Sequence, residues 1–395
     1  MQLFLSQAER KCALITLIET TGLIKELAYI CLEYYFCKEK IYTIARGFAA
    51  TLYNGDVITC SINYGNGYRI QERMNLNIDT IYTTALAFCA KLTDGCIITW
   101  GSDNDGGNSD GVQSELISGV DAIYTTERVF IVKTRDGKIV TWGDERFGSN
   151  ISHIKQYLQN NVDTIYTTQS AVCAKLLNGK LIAWGNPDFG GELPSIIDYL
   201  EIGVETVYST YYAFCAKLLN GQVITWGYAR YGGNSNNIQD KLINVITVFS
   251  THYAFCALLH DRSIITWGDI LYGGDSSNVQ DELKTGIDTI YSTSGAFCAK
   301  LLDGRIITWG HEGYGGDCGA VRADLEEGVE TIYVTDYAFC AKLVSGRYVA
   351  WGHDKYGGNC LSVQNKIDGQ VETIYSTNAT FCAKLYNGSI VMWGG

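Results

Sequence analysis

Apolar positions in this chain come in short runs rather than long ones, and the same run keeps returning. "AFCAKLLDGRIITWG" at 296–310 has close copies at 213–227, 338–352 and 380–394. Each copy sets two apolar stretches, rich in β-branched and aromatic residues, on either side of Asp-Gly, Asn-Gly or Ser-Gly. That arrangement predicts a tight β-hairpin. A third stretch of the same kind, such as "VETIYST", precedes it. None of the three alternates strictly between polar and apolar, so the sheets they form should be covered on both faces.

Aligned on Trp-Gly, the copies place Trp100, Trp142, Trp184, Trp226, Trp267, Trp309, Trp351 and Trp393 in one column, 42 residues apart except for 41 between Trp226 and Trp267. A degenerate copy at 41–60 has Cys60 in the tryptophan position. A second column (Tyr42, Tyr82, Tyr124, Tyr166, Tyr208, Phe249, Tyr291, Tyr333, Tyr375) also counts nine units. After each Trp-Gly comes a Gly-rich loop such as "HEGYGGD", then a polar segment such as "SSNVQDELKTG" that predicts a helical turn. A period of this length means stacked repeats. Three short strands per repeat, covered on both faces, predict an all-β propeller of short blades.

The pattern aromatic–small–Ala–Leu–Asp/Asn–Gly–x–hydrophobic–x–Trp–Gly–x–x–x–Tyr–Gly resembles the repeat of the regulator of chromosome condensation family. It is also similar to the propeller-type beta-lactamase inhibitor proteins. The resemblance covers 41–395 and implies a β-propeller, of seven blades in the family against nine units here. Where the family carries Gly-x-x-His before the second strand, this chain has Thr-x-x-Ala, as in Thr210-Tyr211-Tyr212-Ala213. The resemblance implies a protein partner: a Ran-type small GTPase whose nucleotide exchange is promoted, also by bacterial effectors with such repeats, or a hydrolase that is inhibited.

The last repeat stops after its Trp strand, which predicts that an N-terminal segment completes the final blade. Residues 1–38 instead suggest helices, with Leu23, Leu27, Ile30 and Tyr34 at a spacing of three to four. The expected organisation is a helical segment over 1–38, read as a cap, and a repeat propeller over 39–395.

Composition narrows the functional classes. A net charge of −12 argues against nucleic acid or an anionic membrane surface as the main partner. Seven of the 14 cysteines (Cys89, Cys173, Cys215, Cys256, Cys298, Cys340, Cys382) hold one repeated position. Equivalent sites in neighbouring repeats usually stand too far apart for a disulfide's Cα spacing of roughly 4.4–6.8 Å, so these read as buried thiols and point to a reducing compartment. No secretory signal or membrane-spanning run is legible. The expected location is the cytoplasm or, for a delivered effector, the reducing interior of a host.

Columns that repeat solve packing, so recognition should use columns that vary. Two do: the pair between the first and second strands, and the triplet after each Trp-Gly. Chain reversal at each hairpin puts both at one end of the sheet, opposite the Asp-Gly turns. Repeats five and six bring Tyr211, Tyr212, Tyr228, Arg230, His252, Tyr253, Ile270 and Leu271 to that end, and Tyr337 lies two repeats beyond repeat six. Tyrosine and arginine are common interface anchors, so these nine residues are the candidate partner-binding set. Catalysis finds no motif. His311 and His353 occupy one loop position in successive repeats, but no metal-ligand spacing accompanies them. The "YGGN" and "YGGD" loops lack a phosphate-binding context. No enzyme activity, cofactor or metal is expected. The reading is a protein-interaction module, with GTPase exchange factor and hydrolase inhibitor as alternatives.

Overall fold

The computed structural model describes residues 41–44, 47–51, 57–61, 78–194 and 202–394; the predicted helices over 1–38 lie outside them. The described chain forms nine three-stranded antiparallel sheets, each from three consecutive strands paired in order. The all-β class of repeated short blades is the one the sequence predicts. Two compact units divide the chain, Met1–Asn160 and Asn161–Gly395. The first holds sheets 1 to 3 and the second sheets 4 to 9.

Sheet 5 shows the plan: strands Val204–Ser209, Ala213–Leu218 and Val223–Gly227. Asn220-Gly221 makes its hairpin, with Gly221 at φ +78° and Asn220 Oδ1 accepting from Gln222 N at 3.0 Å. The middle strand is buried along its whole length, which explains why it does not alternate: neighbouring sheets cover both faces. Sheet 4 runs over Val162–Thr167, Ala171–Leu176 and Leu181–Gly185. Sheet 6 comprises Val245–Ser250, Ala254–Leu259 and Ile264–Gly268. Sheet 7 spans Ile287–Ser292, Ala296–Leu301 and Ile306–Gly310, and sheet 8 Val329–Val334, Ala338–Leu343 and Tyr348–Gly352.

The repeated Phe, Trp and Gly columns form one joint between successive sheets. Phe214 stacks on Trp226 at 5.2 Å between centroids. The Trp226 indole N–H donates to the carbonyl of Gly190, in the loop after sheet 4, at 3.1 Å. Gly190 has φ +98°, and a Cβ there would lie 2.6 Å from the Phe214 ring. Only glycine permits both the backbone conformation and the approach. The same indole–carbonyl bond joins Trp267 to Gly232, Trp309 to Gly273, Trp351 to Gly315 and Trp393 to Gly357, and Trp142 to Gly106 in the N-terminal unit.

Other columns keep their expected roles in part. The tyrosine column, read as core, is half-buried along the seam between sheets: Tyr208 Oη lies 3.1 Å from Thr247 Oγ1 of the next sheet, and Tyr375 is exposed. Of the repeated cysteines, six are fully buried and Cys382 is partly buried. Burial alone pushes the Cys215 and Cys256 thiols far above their ordinary range. The segment "SSNVQDELKTG" forms helical turns of the 3₁₀ kind at Ser277–Val279 and Glu282–Thr285. At the hairpin end, Leu177, Leu219, Leu302, Val344 and Tyr386 stand exposed, one on each of five sheets.

Candidate functional site: an aromatic row across sheets 4 to 8

Opposite the hairpins, the turns between first and second strands are bonded to one another. Gln169 N donates to Tyr211 O (2.8 Å), Tyr211 N to His252 O (3.0 Å), His252 N to Ser294 O (3.0 Å), Ser294 N to Asp336 O (2.9 Å) and Asp336 N to Asn378 O (2.9 Å). One varying position per sheet is thus strung on a continuous backbone ladder. Thr-x-x-Ala holds the turns of sheets 4 to 8 in place. Thr210 Oγ1 accepts from Ala213 N at 3.0 Å and donates to Tyr231 O at 3.1 Å. Thr251, Thr293 and Thr335 repeat this with Tyr272, Tyr314 and Tyr356. The threonine therefore ties the two varying columns together.

Rings follow from that geometry. His252 stacks on Tyr211 at 3.6 Å and Tyr253 on Tyr212 at 5.9 Å. Tyr231 meets Tyr212 at 5.2 Å, Tyr228 at 5.1 Å and Tyr253 at 5.0 Å. Tyr253 then contacts Tyr272 at 4.6 Å, and Tyr272 contacts His311 at 5.4 Å and Tyr314 at 6.0 Å. Tyr314 stacks on Tyr337 at 5.3 Å, and Tyr337 meets Tyr356 at 4.7 Å. With Phe189 at 4.9 Å from Tyr212, the row is unbroken from sheet 4 to the loop after sheet 8.

All nine predicted residues lie at this end. Tyr211, Tyr212, Tyr228, His252, Tyr253 and Tyr337 are members of the row. Arg230 lies beside it, its guanidinium 5.7 Å over the Tyr231 ring and its Nε donating to buried Asp269 at 2.8 Å. Ile270 and Leu271 flank it, 69% and 62% exposed. They share a 3₁₀ turn with Tyr272, which Asp269 starts by accepting from Leu271 N at 3.0 Å. Tyr211 and Tyr228 are exposed, whereas Tyr212, His252, Tyr253 and Tyr337 are half-buried.

Sequence reasoning missed Tyr231, Tyr272, Tyr314 and Tyr356, because a constant column looks like scaffold. It also set aside His311 and His353, which join the row as rings. The signal available was the same column in earlier repeats, where Asp105, Phe147 and Phe189 stand. A position that must only turn the chain would have no reason to prefer an aromatic.

Burial favours the neutral forms of His252, Tyr253 and Tyr211. Burial lowers the His252 pKa to about 4 and raises that of Tyr253 to about 12, with help from Tyr212. Burial, then the Asp336 carboxylate, push the Tyr211 hydroxyl up. His252 Nε2 lies 2.9 Å from Ser294 Oγ, a separation at which a base could activate a nucleophile. Burial opposes that role at both residues. Ser294 is 5% exposed, and the shift of His252 is a lowering by burial, which weakens it as a base. Among the described residues no cluster of His, Cys, Asp or Glu could hold a metal ion, and no helix is long and apolar enough to cross a membrane.

No known family profile and no curated protein matches the sequence. Solved structures show similarity at low levels. Yeast RCC1 (Prp20) bound to Kap60 aligns at 12% identity and TM-score 0.39, over 74% of this chain and 86% of that one. Human WBSCR16 aligns at 14% and 0.38, over 60% and 76%. The ectodomain of the Physcomitrella patens receptor kinase CR4 aligns at 14% and 0.37, over 68% and 70%. At such scores these similarities assign this chain to no family.

Proposed function

We propose that the turn-and-loop face of the C-terminal unit is a docking surface for a partner protein, and that the protein acts by binding. The unbroken aromatic row supports this reading. Large, rigid, amphipathic rings give contact area at little cost in conformational entropy, and tyrosine is enriched among interface anchors. Exposed Tyr211, Tyr228, Ile270 and Leu271 supply its accessible apolar surface. A purely structural row has no need for these four to stand outward.

The test is an affinity capture followed by direct binding with the purified partner. It compares the wild type with a Tyr211→Ser/Tyr228→Ser variant and a Leu219→Ser/Leu302→Ser variant at the hairpin end, all checked for folding. Loss of one defined partner from the tyrosine variant alone is the expected result. Loss from the leucine variant alone would move the site to the opposite end of the sheets. If the partner is a small GTPase or a hydrolase, nucleotide-release or hydrolysis assays then separate exchange factor from inhibitor.

A further inference from the structure

We infer that Asn387, in the hairpin turn of sheet 9, is a site of spontaneous deamidation. It converts to aspartate or isoaspartate well ahead of the asparagines in the equivalent turns of sheets 4 and 5. The modification needs only water and puts a new negative charge at the hairpin end.

Five Asn-Gly pairs occur in the chain, and those at 54–55 and 66–67 lie outside the described residues. The other three, Asn178-Gly179, Asn220-Gly221 and Asn387-Gly388, occupy one repeat position and are built alike. In each, the asparagine Oδ1 accepts from the backbone N–H two residues on: Lys180 at 3.1 Å, Gln222 at 3.0 Å and Ser389 at 2.9 Å. In each, the glycine N donates at 2.9 Å to the carbonyl at the end of the middle strand, Leu176, Leu218 or Leu385. Glycine also has no side chain to shield its nitrogen. What separates the three turns is their surroundings.

Sheet 9 comprises Val371–Ser376, Phe381–Leu385 and Ile390–Trp393, and one of its faces is open. Ile390 is exposed, whereas its counterparts Val223, Ile264 and Ile306 are buried. Cys382 is partly buried, whereas its six counterparts are fully so. The same difference reaches the turn. In sheets 4 and 5 the turn carbonyl is clamped by the first strand of the next sheet, with Val204 N donating to Gly179 O at 3.3 Å and Val245 N to Gly221 O at 2.9 Å. Among the described residues no backbone N–H donates to Gly388 O. A Cβ built on Gly179 or Gly221 would meet the next sheet at 3.6 or 3.3 Å, and one on Gly388 meets nothing within 4 Å. The turn of sheet 9 can therefore open alone, while the others must first release a neighbour.

The Asn387 side chain is also better primed. Its Oδ1 accepts from Ser389 Oγ at 2.7 Å as well as from Ser389 N. Two donors on this oxygen stabilise the negative charge that develops there when Cγ is attacked. Asn220 has Gln222 in that place, which instead holds its Nδ2 at 2.8 Å. In the opened turn the Gly388 nitrogen gives its proton to solvent base and bonds to Asn387 Cγ. The bond from Cγ to Nδ2 breaks, ammonia leaves with a proton from solvent, and a succinimide remains. Water opens it at either carbonyl, giving aspartate or isoaspartate. The fold accepts aspartate, since Asp94, Asp261 and Asp303 hold the same position and accept the same N–H bond at 2.8, 2.9 and 3.0 Å. Isoaspartate lengthens the backbone by a methylene, which a tight hairpin turn does not fit.

The experiment is incubation of the purified full chain in mildly alkaline buffer, with deamidation at each turn followed by mass spectrometry of proteolytic peptides. Asn387 should convert about fivefold faster than Asn178 or Asn220, the weight of one backbone hydrogen bond. Ser389→Ala should slow Asn387 and leave the other two unchanged. In urea the three rates should converge. Equal rates in the folded chain would overturn the inference and mean that the turn of sheet 9 is clamped like the others. A difference that persists in urea would trace it to neighbouring sequence and overturn the structural cause. A Ser389→Ala chain that deamidates as fast as the wild type would overturn the part given to the hydroxyl.

Discussion

Burial displaces the titration of His252. The ring stacks on Tyr211 and is bonded to Ser294, and burial holds its pKa near 4 rather than 6.5. The folded protein therefore keeps it neutral while the unfolded chain takes up a proton at about 6.5. Between those values the unfolded state binds more protons, so stability rises with pH there. Its contribution is complete above about pH 6.5 and is lost as pH falls to about 4, by at most roughly 3 kcal/mol. Urea denaturation of the wild type and of His252→Gln across this window checks it. The stability advantage of the wild type should shrink as pH falls, and an advantage that stays constant would contradict a neutral buried imidazole. His252 was legible as a candidate because its column varies, but not as a buried neutral ring, since that depends on Tyr211 and Ser294 of neighbouring repeats.

At the scale of elements, the joint between sheets makes a sharper test than any strand. Gly190→Ala must place a methyl 2.6 Å from the Phe214 ring at φ +98°. Gly304→Ala, in the hairpin turn of sheet 7 at φ +88°, meets nothing within 4 Å. The first substitution combines left-handed strain with overpacking and should cost about 3 kcal/mol, the second only the strain, about 1 kcal/mol. Denaturation midpoints of the two variants should differ accordingly, and equal costs would mean the loop can yield where it meets Phe214. The strands and the hairpins were readable from the columns. That the indole of one sheet bonds a glycine of the preceding loop was not, because the two residues lie 36 positions apart and both columns are constant.

At the scale of the whole molecule, charge and the row act together. The chain carries −12, and exposed Glu312 and Asp354 border the row around sheets 7 and 8, so association with a basic partner segment should be fast and salt-sensitive. The Debye length shortens from about 10 Å at 0.1 M to about 3 Å at 1 M ionic strength. Partner affinity measured over that range should fall steadily, chiefly through the association rate. A salt-independent affinity would assign binding to the exposed apolar residues Ile270, Leu271, Tyr211 and Tyr228 instead.

The sequence by itself determined the repeat, its length, the three strands of each unit, the hairpin turns and the end of the sheet at which variation gathers. These follow from local rules: β-branched and aromatic runs, Asn-Gly and Asp-Gly turns, and columns that must pack identically in every copy. The tertiary structure decided which residues of different repeats meet. The backbone ladder from Gln169 to Asn378 brings positions some forty residues apart into contact, and the threonine bond swings the constant tyrosines of the loops against the varying ones of the turns. Only in three dimensions do Tyr231, Tyr272, Tyr314 and Tyr356 change from turn residues into members of one aromatic row. Ring-to-ring contact is a property of neighbouring copies, and no single repeat contains it.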